Sequence, residues 1–144
     1  MILADVNVYV YAHREELSEH PDYATWLTEL VASREPFAAS EVALSGFVRI
    51  VTNRKIFRTP TPIDTALAFA SELLHQPNCV SLRPGARHWR LFADLCLASK
   101  ASGKLVADAY HAALAIEHGC EFASADADFS RFADLRWRHP LAKR

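Results

Sequence analysis

Four short strand-like runs, Ile2 to Val6, Phe37 to Ala39, Cys79 to Leu82 and Glu121 to Ser124, recur along this chain, and segments of helical period fill every interval between them. The first has the profile of a strand buried on both faces, the situation of strands in a parallel sheet. From Asn7 the chain turns into a short helix through Tyr9 and Tyr11. Pro21 opens an amphipathic helix with Tyr23, Trp26, Leu27, Leu30 and Val31 on one side. A third helix carries Leu44, Phe47, Val48 and Val51 and stops in the polar stretch Thr52 to Lys55. Thr61 and Pro62 start a fourth, which runs to Leu74, and Ala86 to Ala98 reads as a fifth. Leu105 to His118 is the most regular, stopped by Gly119. The tail around Leu135 to Trp137 supplies a fifth strand. This alternation predicts an α/β protein, a three-layer α/β/α sandwich with a mostly parallel central sheet. Ligands of such sheets bind beyond the C-terminal strand ends, where the strand order reverses.

With 144 residues, 51% of them hydrophobic and 23% charged, the chain is expected to fold as one domain over 1–144 with a real core. Its apolar runs are far shorter than the roughly 20 residues of a membrane helix. The opening MILADVNVYV places Asp5 and Asn7 where a signal peptide would be basic and then apolar. Cys79, Cys96 and Cys120 are odd in number and contain no C-x-x-C pair, which argues against a disulfide framework or zinc site. A cytoplasmic protein is the expectation. The net charge of -1 conceals a stretch from Val42 to Ile63 that has no carboxylate but holds Arg49, Arg54, Lys55 and Arg58. Twelve of the sixteen Lys and Arg residues are arginine, whose planar fork suits phosphate. These residues read either as a nucleic-acid face or as ordinary solvated surface.

Several acids stand where packing does not ask for them. Asp5 interrupts the first apolar run; it either caps the following helix or serves as a ligand, and a strand end accommodates both. Asp108 shares the apolar stripe of its helix with Leu105, Ala112 and Ala115, so it has either a buried cationic partner or a bound ion or substrate. Asp126 and Asp128 follow the fourth strand; Asp128, beside Phe129, is assigned the helix cap and Asp126 the chemistry. Ser124 either orients a carboxylate or is a small polar residue at a strand end. Glu41, in the first turn of its helix, is favoured by the helix dipole in any case. Three acids thus follow three strands, and a fourth faces inward from a helix. Two carboxylates brought to ~4 Å repel by about 4 kcal/mol at an effective dielectric of ~20, and a typical domain has only ~5–15 kcal/mol of stability. A cation or shared protons must offset such repulsion. Oxygen ligands without Cys or His suit magnesium or manganese.

At these residues the chain resembles the PIN domain of VapC toxins, the ribonuclease halves of VapBC toxin–antitoxin pairs. Asp5-Val6-Asn7 is similar to the family's N-terminal D-x-N element. The run Leu44 to Arg54, LSGFVRIVTNR, resembles its L-S-x-F-x-R-[IV]-V-T-[NH] helix. Val106 to Gly119 resembles the D-A-x-x-A-A-L-A-x-E-x-G signature, and Ser124 to Phe132 the S-x-D-x-D-F-x-x-F segment. The resemblance implies a PIN-like fold and metal-binding acids at Asp5, Asp108 and Asp126, with Glu41 as the fourth catalytic acid. Many members carry that glutamate about where Gly46 stands, five residues on and rotated by about 140° around the helix. Asn7 would hold the neighbouring carboxylate through its side-chain amide, and Ser124 and Asp128 would support the acids from behind. Arg49, Arg54, Lys55 and Arg58 would bind RNA phosphates, although Arg49 could equally be an internal ion-pair partner.

The activity so implied is a magnesium-dependent endoribonuclease, with manganese an acceptable substitute, that cleaves structured RNA such as transfer or ribosomal RNA. The implied partners are a VapB-type antitoxin, the RNA substrate and a second copy of the chain in a homodimer, with no membrane role. Three other readings stay open: a catalytically weak PIN-like RNA- or partner-binding module, a D-x-D phosphatase, and a repair nuclease acting on DNA.

Overall fold

In the computed structural model, which describes residues 1–143, Ile2–Ala4 forms the middle strand (β1) of a five-stranded sheet. Phe37–Ser40 (β2) and Cys79–Leu82 (β3) lie to one side of it, and Glu121–Ala123 (β4) and Trp137–Arg138 (β5) to the other, giving the order β3-β2-β1-β4-β5. Every pairing is parallel; Leu3 stands opposite both Ala38 of β2 and Phe122 of β4. Six helices complete the layers: Val6–His13 (α1), His20–Ala32 (α2), Glu41–Val51 (α3), Ile63–Leu74 (α4), His88–Ser99 (α5) and Lys104–Glu117 (α6).

Strand alternation divides the core in two. Ala4, Phe37 and Ala39 face Val8, Tyr9, Tyr23, Phe47, Val51 and Leu73, contributed by α1 to α4. Leu3, Ala38, Leu82 and Phe122 face the opposite way, toward Ala109, Ala112 and Ala115 of α6 and toward Phe129 and Phe132. Successive crossovers β1–α1–α2–β2 and β2–α3–α4–β3 move one way across the sheet. The chain then reverses through α5 and α6 to reach β4, and right-handed connections put those two helices on the other face. The result is the expected α/β/α sandwich. Ala109, Ala112, Ala113 and Ala115 of α6 are fully buried, so the helix backbone rides close to the sheet and brings Asp108 with it.

Element boundaries moved by one or two residues. The first strand ends at Ala4 rather than Val6 because the Asp5 carboxylate accepts the Val6 N–H at 2.7 Å and starts α1 at once. The fifth strand begins at Trp137, while Leu135 turns into the core. Among the described residues no helix is long and apolar enough to cross a membrane. Chain order reverses at β1, and the C-terminal ends of β1 and β4 therefore border the crevice where a ligand is expected.

Candidate active site

Asp5 is fixed from three directions. Its N–H donates to the Ala123 carbonyl at 2.9 Å, extending the β1–β4 ladder by one residue. One carboxylate oxygen caps α1, and the other, Oδ2, accepts the Ser124 hydroxyl at 2.7 Å. Ser124 is fully buried, and its Oγ also accepts the Asp126 N–H at 3.1 Å and the Asn7 amide at 3.3 Å. One hydroxyl at the end of β4 thus ties together three segments of chain. Burial pushes the Asp5 carboxyl above its ordinary pKa, against the Ser124 hydrogen bond, which favours the ionised form. Asn7 does not grip a carboxylate as expected. Its Nδ2 goes to Ser124 and its Oδ1 accepts the Ala125 N–H at 3.4 Å, because the start of α1 lies over the β4 end rather than beside an acid.

Asp108 and Asp126 meet at a third side chain. Lys104 Nζ lies 3.2 Å from Asp108 Oδ2 and 2.9 Å from Asp126 Oδ2. The hydrogen bond from Lys104, with help from the Asp128 N–H, holds the Asp126 carboxyl below its ordinary pKa. The same bond raises the Lys104 ammonium. The cap assignment is reversed from expectation. Asp126, not Asp128, caps the short 3-10 helix Ala127–Arg131 by accepting the Asp128 N–H on Oδ1 at 2.9 Å. Asp126 has the extended backbone that a cap requires, since β4 ends at Ala123. Cap and cleft wall coincide in one residue, whose second oxygen is left for Lys104.

Asp5, Asp108 and Asp126 line one cleft of about 470 Å³ at the C-terminal ends of β1 and β4. Lys104, His111 and Arg49 also line it, and Tyr11, Ile50, Ile56 and Phe57 give it an apolar wall. Sequence reasoning passed over Lys104 and His111. The available signal was helical spacing, since they stand four residues before and three after Asp108 on α6. Burial lowers the His111 pKa, against the pull of Asp5 and Asp108, which favours the neutral ring.

Glu41 is outside the cleft. Its half-exposed carboxylate pairs with Arg83 at 3.3 Å across the ends of β2 and β3. Gly46 is nearer, and a Cβ added there would lie 3.2 Å from Val6 Cγ2. Of the four residues expected to bind RNA phosphates, Arg49, Arg54, Lys55 and Arg58, only Arg49 lines the acidic cleft. Arg58 lines an adjoining hollow of about 780 Å³, and the two hollows share Leu17, Ile56 and Phe57. Arg54 and Lys55 are exposed and line neither hollow. Asp128 is exposed and enters the site only through its backbone N–H.

Among the described residues no three His, Cys, Asp or Glu side chains stand together as a ready metal cage. The donor set nevertheless suits a hard cation. It consists of carboxylates without sulfur, and two of them already converge on one ammonium group, which shows that Asp108 and Asp126 can share a positive ion. The cation demanded by electrostatics is present here as Lys104.

Residues 2–135 match the family model described as PIN domain. Ribonuclease VapC43 of Mycobacterium tuberculosis is 46% identical over 141 residues, which cover 98% of this chain and 96% of that protein. Ribonuclease VapC25 of the same organism is 40% identical over 140 residues, 97% of this chain and 99% of the relative. Among solved structures, VapC20 of M. tuberculosis, described as a Sarcin-Ricin loop cleaving toxin, superposes with a TM-score of 0.67 at 15% identity, over 94% of this chain and 98% of that one. VapBC2 of Rickettsia felis, bound to a promoter DNA fragment, gives 0.66 at 19% identity over 96% and 98%. At these identities the structural likeness speaks for the fold.

Proposed function

We propose that this chain, which belongs to the PIN-domain family in its VapC-type toxin branch, is the endoribonuclease of a toxin–antitoxin pair, acting on structured RNA such as transfer or ribosomal RNA. The observation that carries the reading is the convergence of Asp5, Asp108 and Asp126, from β1, α6 and the end of β4, on one cleft with Arg49 at its edge. Relatives covering nearly the whole chain are named ribonucleases, which supports the assignment.

Asp5, Asp108 and Asp126 are the residues that would hold magnesium or manganese. When bound, such an ion supplies charge stabilisation at a phosphodiester and an activated water. The chain's own groups do the rest. Ser124 and the Val6 N–H hold Asp5, the Asp128 N–H aims Asp126, and the guanidinium of exposed Arg49, without a protein partner among the described residues, is free to take a phosphate oxygen. The partner is a VapB-type antitoxin. The seating of a lysine between two of the acids supports a blocking mode in which a basic side chain of that partner enters the same place.

The test is to map RNA 5′-phosphate ends in cells expressing the wild type or Asp108→Asn. New ends confined to the wild type support the nuclease, and identical maps reject it. One observation favours a second reading, a weakly cleaving RNA- or partner-binding module: no acid of α3 reaches the cleft. Wild-type RNA binding without cleavage would select it.

A further inference from the structure

We propose that Lys104 is a tethered counter-ion that competes with a divalent ion for Asp108 and Asp126, an inference that rests on the metal reading above. Its ammonium sets the ion concentration at which the site fills.

Lys104 is the first residue of α6, at the positive end of the helix dipole, where a cation is disfavoured. Lysine preceding its acid by four residues is also the weaker orientation of such a pair. Local helix energetics therefore do not explain its place, and the two carboxylates do. The acids are the fixed partners. The Asp108 side chain is only 12% exposed, and Asp126 is anchored through Oδ1 by the Asp128 N–H. Lysine is the movable one, with 72% of its side chain in solvent and a flexible stem. A magnesium ion takes carboxylate oxygens at about 2.1 Å, so an ion shared by Asp108 Oδ2 and Asp126 Oδ2 claims the space between them where Nζ now lies. The ammonium and the ion repel each other and need the same two oxygens. One must leave, and only the lysine has somewhere to go.

The experiment is a titration of the full chain with magnesium and manganese chloride, followed by calorimetry and by thermal unfolding, for the wild type, Lys104→Gln, Lys104→Arg and Asp108→Asn. Removing the competing charge in Lys104→Gln is expected to tighten ion binding about tenfold, the equivalent of two modest ion pairs, and to lower the melting temperature of the ion-free protein. Lys104→Arg keeps the charge and stays near the wild type. Equal or weaker binding by Lys104→Gln, with binding lost in Asp108→Asn, overturns the counter-ion role and leaves the metal reading standing. No binding by any variant, or full binding by Asp108→Asn, overturns both. A measurement on the wild type alone guards against a folding defect: acylation of the Lys104 amine, read by mass spectrometry, is expected to accelerate when magnesium is added. An unchanged rate overturns the displacement.

Discussion

The buried Ser124 hydroxyl donates to the buried Asp5 Oδ2 at 2.7 Å across 119 residues of sequence. Removing it in Ser124→Ala also strips an acceptor from Asn7 Nδ2 and from the Asp126 N–H. The expected loss is about 1–3 kcal/mol, measured by urea unfolding. Because the lost bond favours ionised Asp5, the Asp5 carboxyl rises further above its ordinary value. An acid with a raised folded-state pKa loses stability as pH climbs from its ordinary 3.8 through the folded-state value, so the destabilisation should be larger at pH 7 than at pH 3.8. A deficit independent of pH would show that Ser124 acts by packing alone.

Asp126 has two duties on separate oxygens, and two substitutions separate them. Asp126→Asn keeps an Oδ1 for the Asp128 N–H but removes the charge; Asp126→Ala removes both. RNA cleavage should fall about a hundredfold or more in each, a few kcal/mol of lost charge stabilisation. Only the alanine variant should lose an additional ~1 kcal/mol from the missing cap. Equal unfolding midpoints for the two variants would contradict the capping role.

The strands and helices were legible because burial on the two faces of a sheet leaves an apolar pattern, and Asp5 and Asp108 were legible because they interrupt it. The cap fell to Asp126 rather than Asp128 because one residue of strand length decides which of them has extended backbone, and short runs do not determine that. Lys104 was not legible because a lysine at a helix start looks like solvated surface until β4 brings Asp126 beside it. Glu41 failed to reach the cleft for a related reason. Periodicity says which residues share a face of α3, but not that its first turn is aimed at Arg83 beyond β3.

Glu41→Gln should leave RNA cleavage within about twofold of wild type, since exposed ion pairs such as Glu41–Arg83 contribute ~0–1 kcal/mol and the carboxylate is outside the cleft. A loss as deep as that of Asp108→Asn, in kcat at saturating RNA, would mean that α3 reorients to present this acid.

Arg49→Gln should weaken RNA binding and reduce the salt dependence of the dissociation constant by about 0.7 in logarithmic slope, one phosphate contact on a single strand. Arg49 alone of the cluster Arg49, Arg54, Lys55 and Arg58 lines the acidic cleft, so its effect should exceed that of Arg54→Gln. Filter binding across a salt series decides it; equal slopes for the two variants would place the RNA path elsewhere.

His111 gives the metal-free protein an acid-sensitive element. Burial sets its folded-state pKa below the ordinary 6.5, so unfolding takes up a proton. The stability this linkage protects is complete above pH 6.5 and is lost as pH falls through the folded-state value. The raised Asp5 carboxyl acts in the opposite sense, gaining stability as pH falls, so the wild-type profile is the difference of the two. His111→Gln removes the imidazole titration and leaves Asp5. In EDTA, urea midpoints measured from pH 7.5 to 5 should decline less steeply for His111→Gln than for wild type. Parallel profiles would show that the His111 ring is solvated enough to accept its proton without strain on the fold.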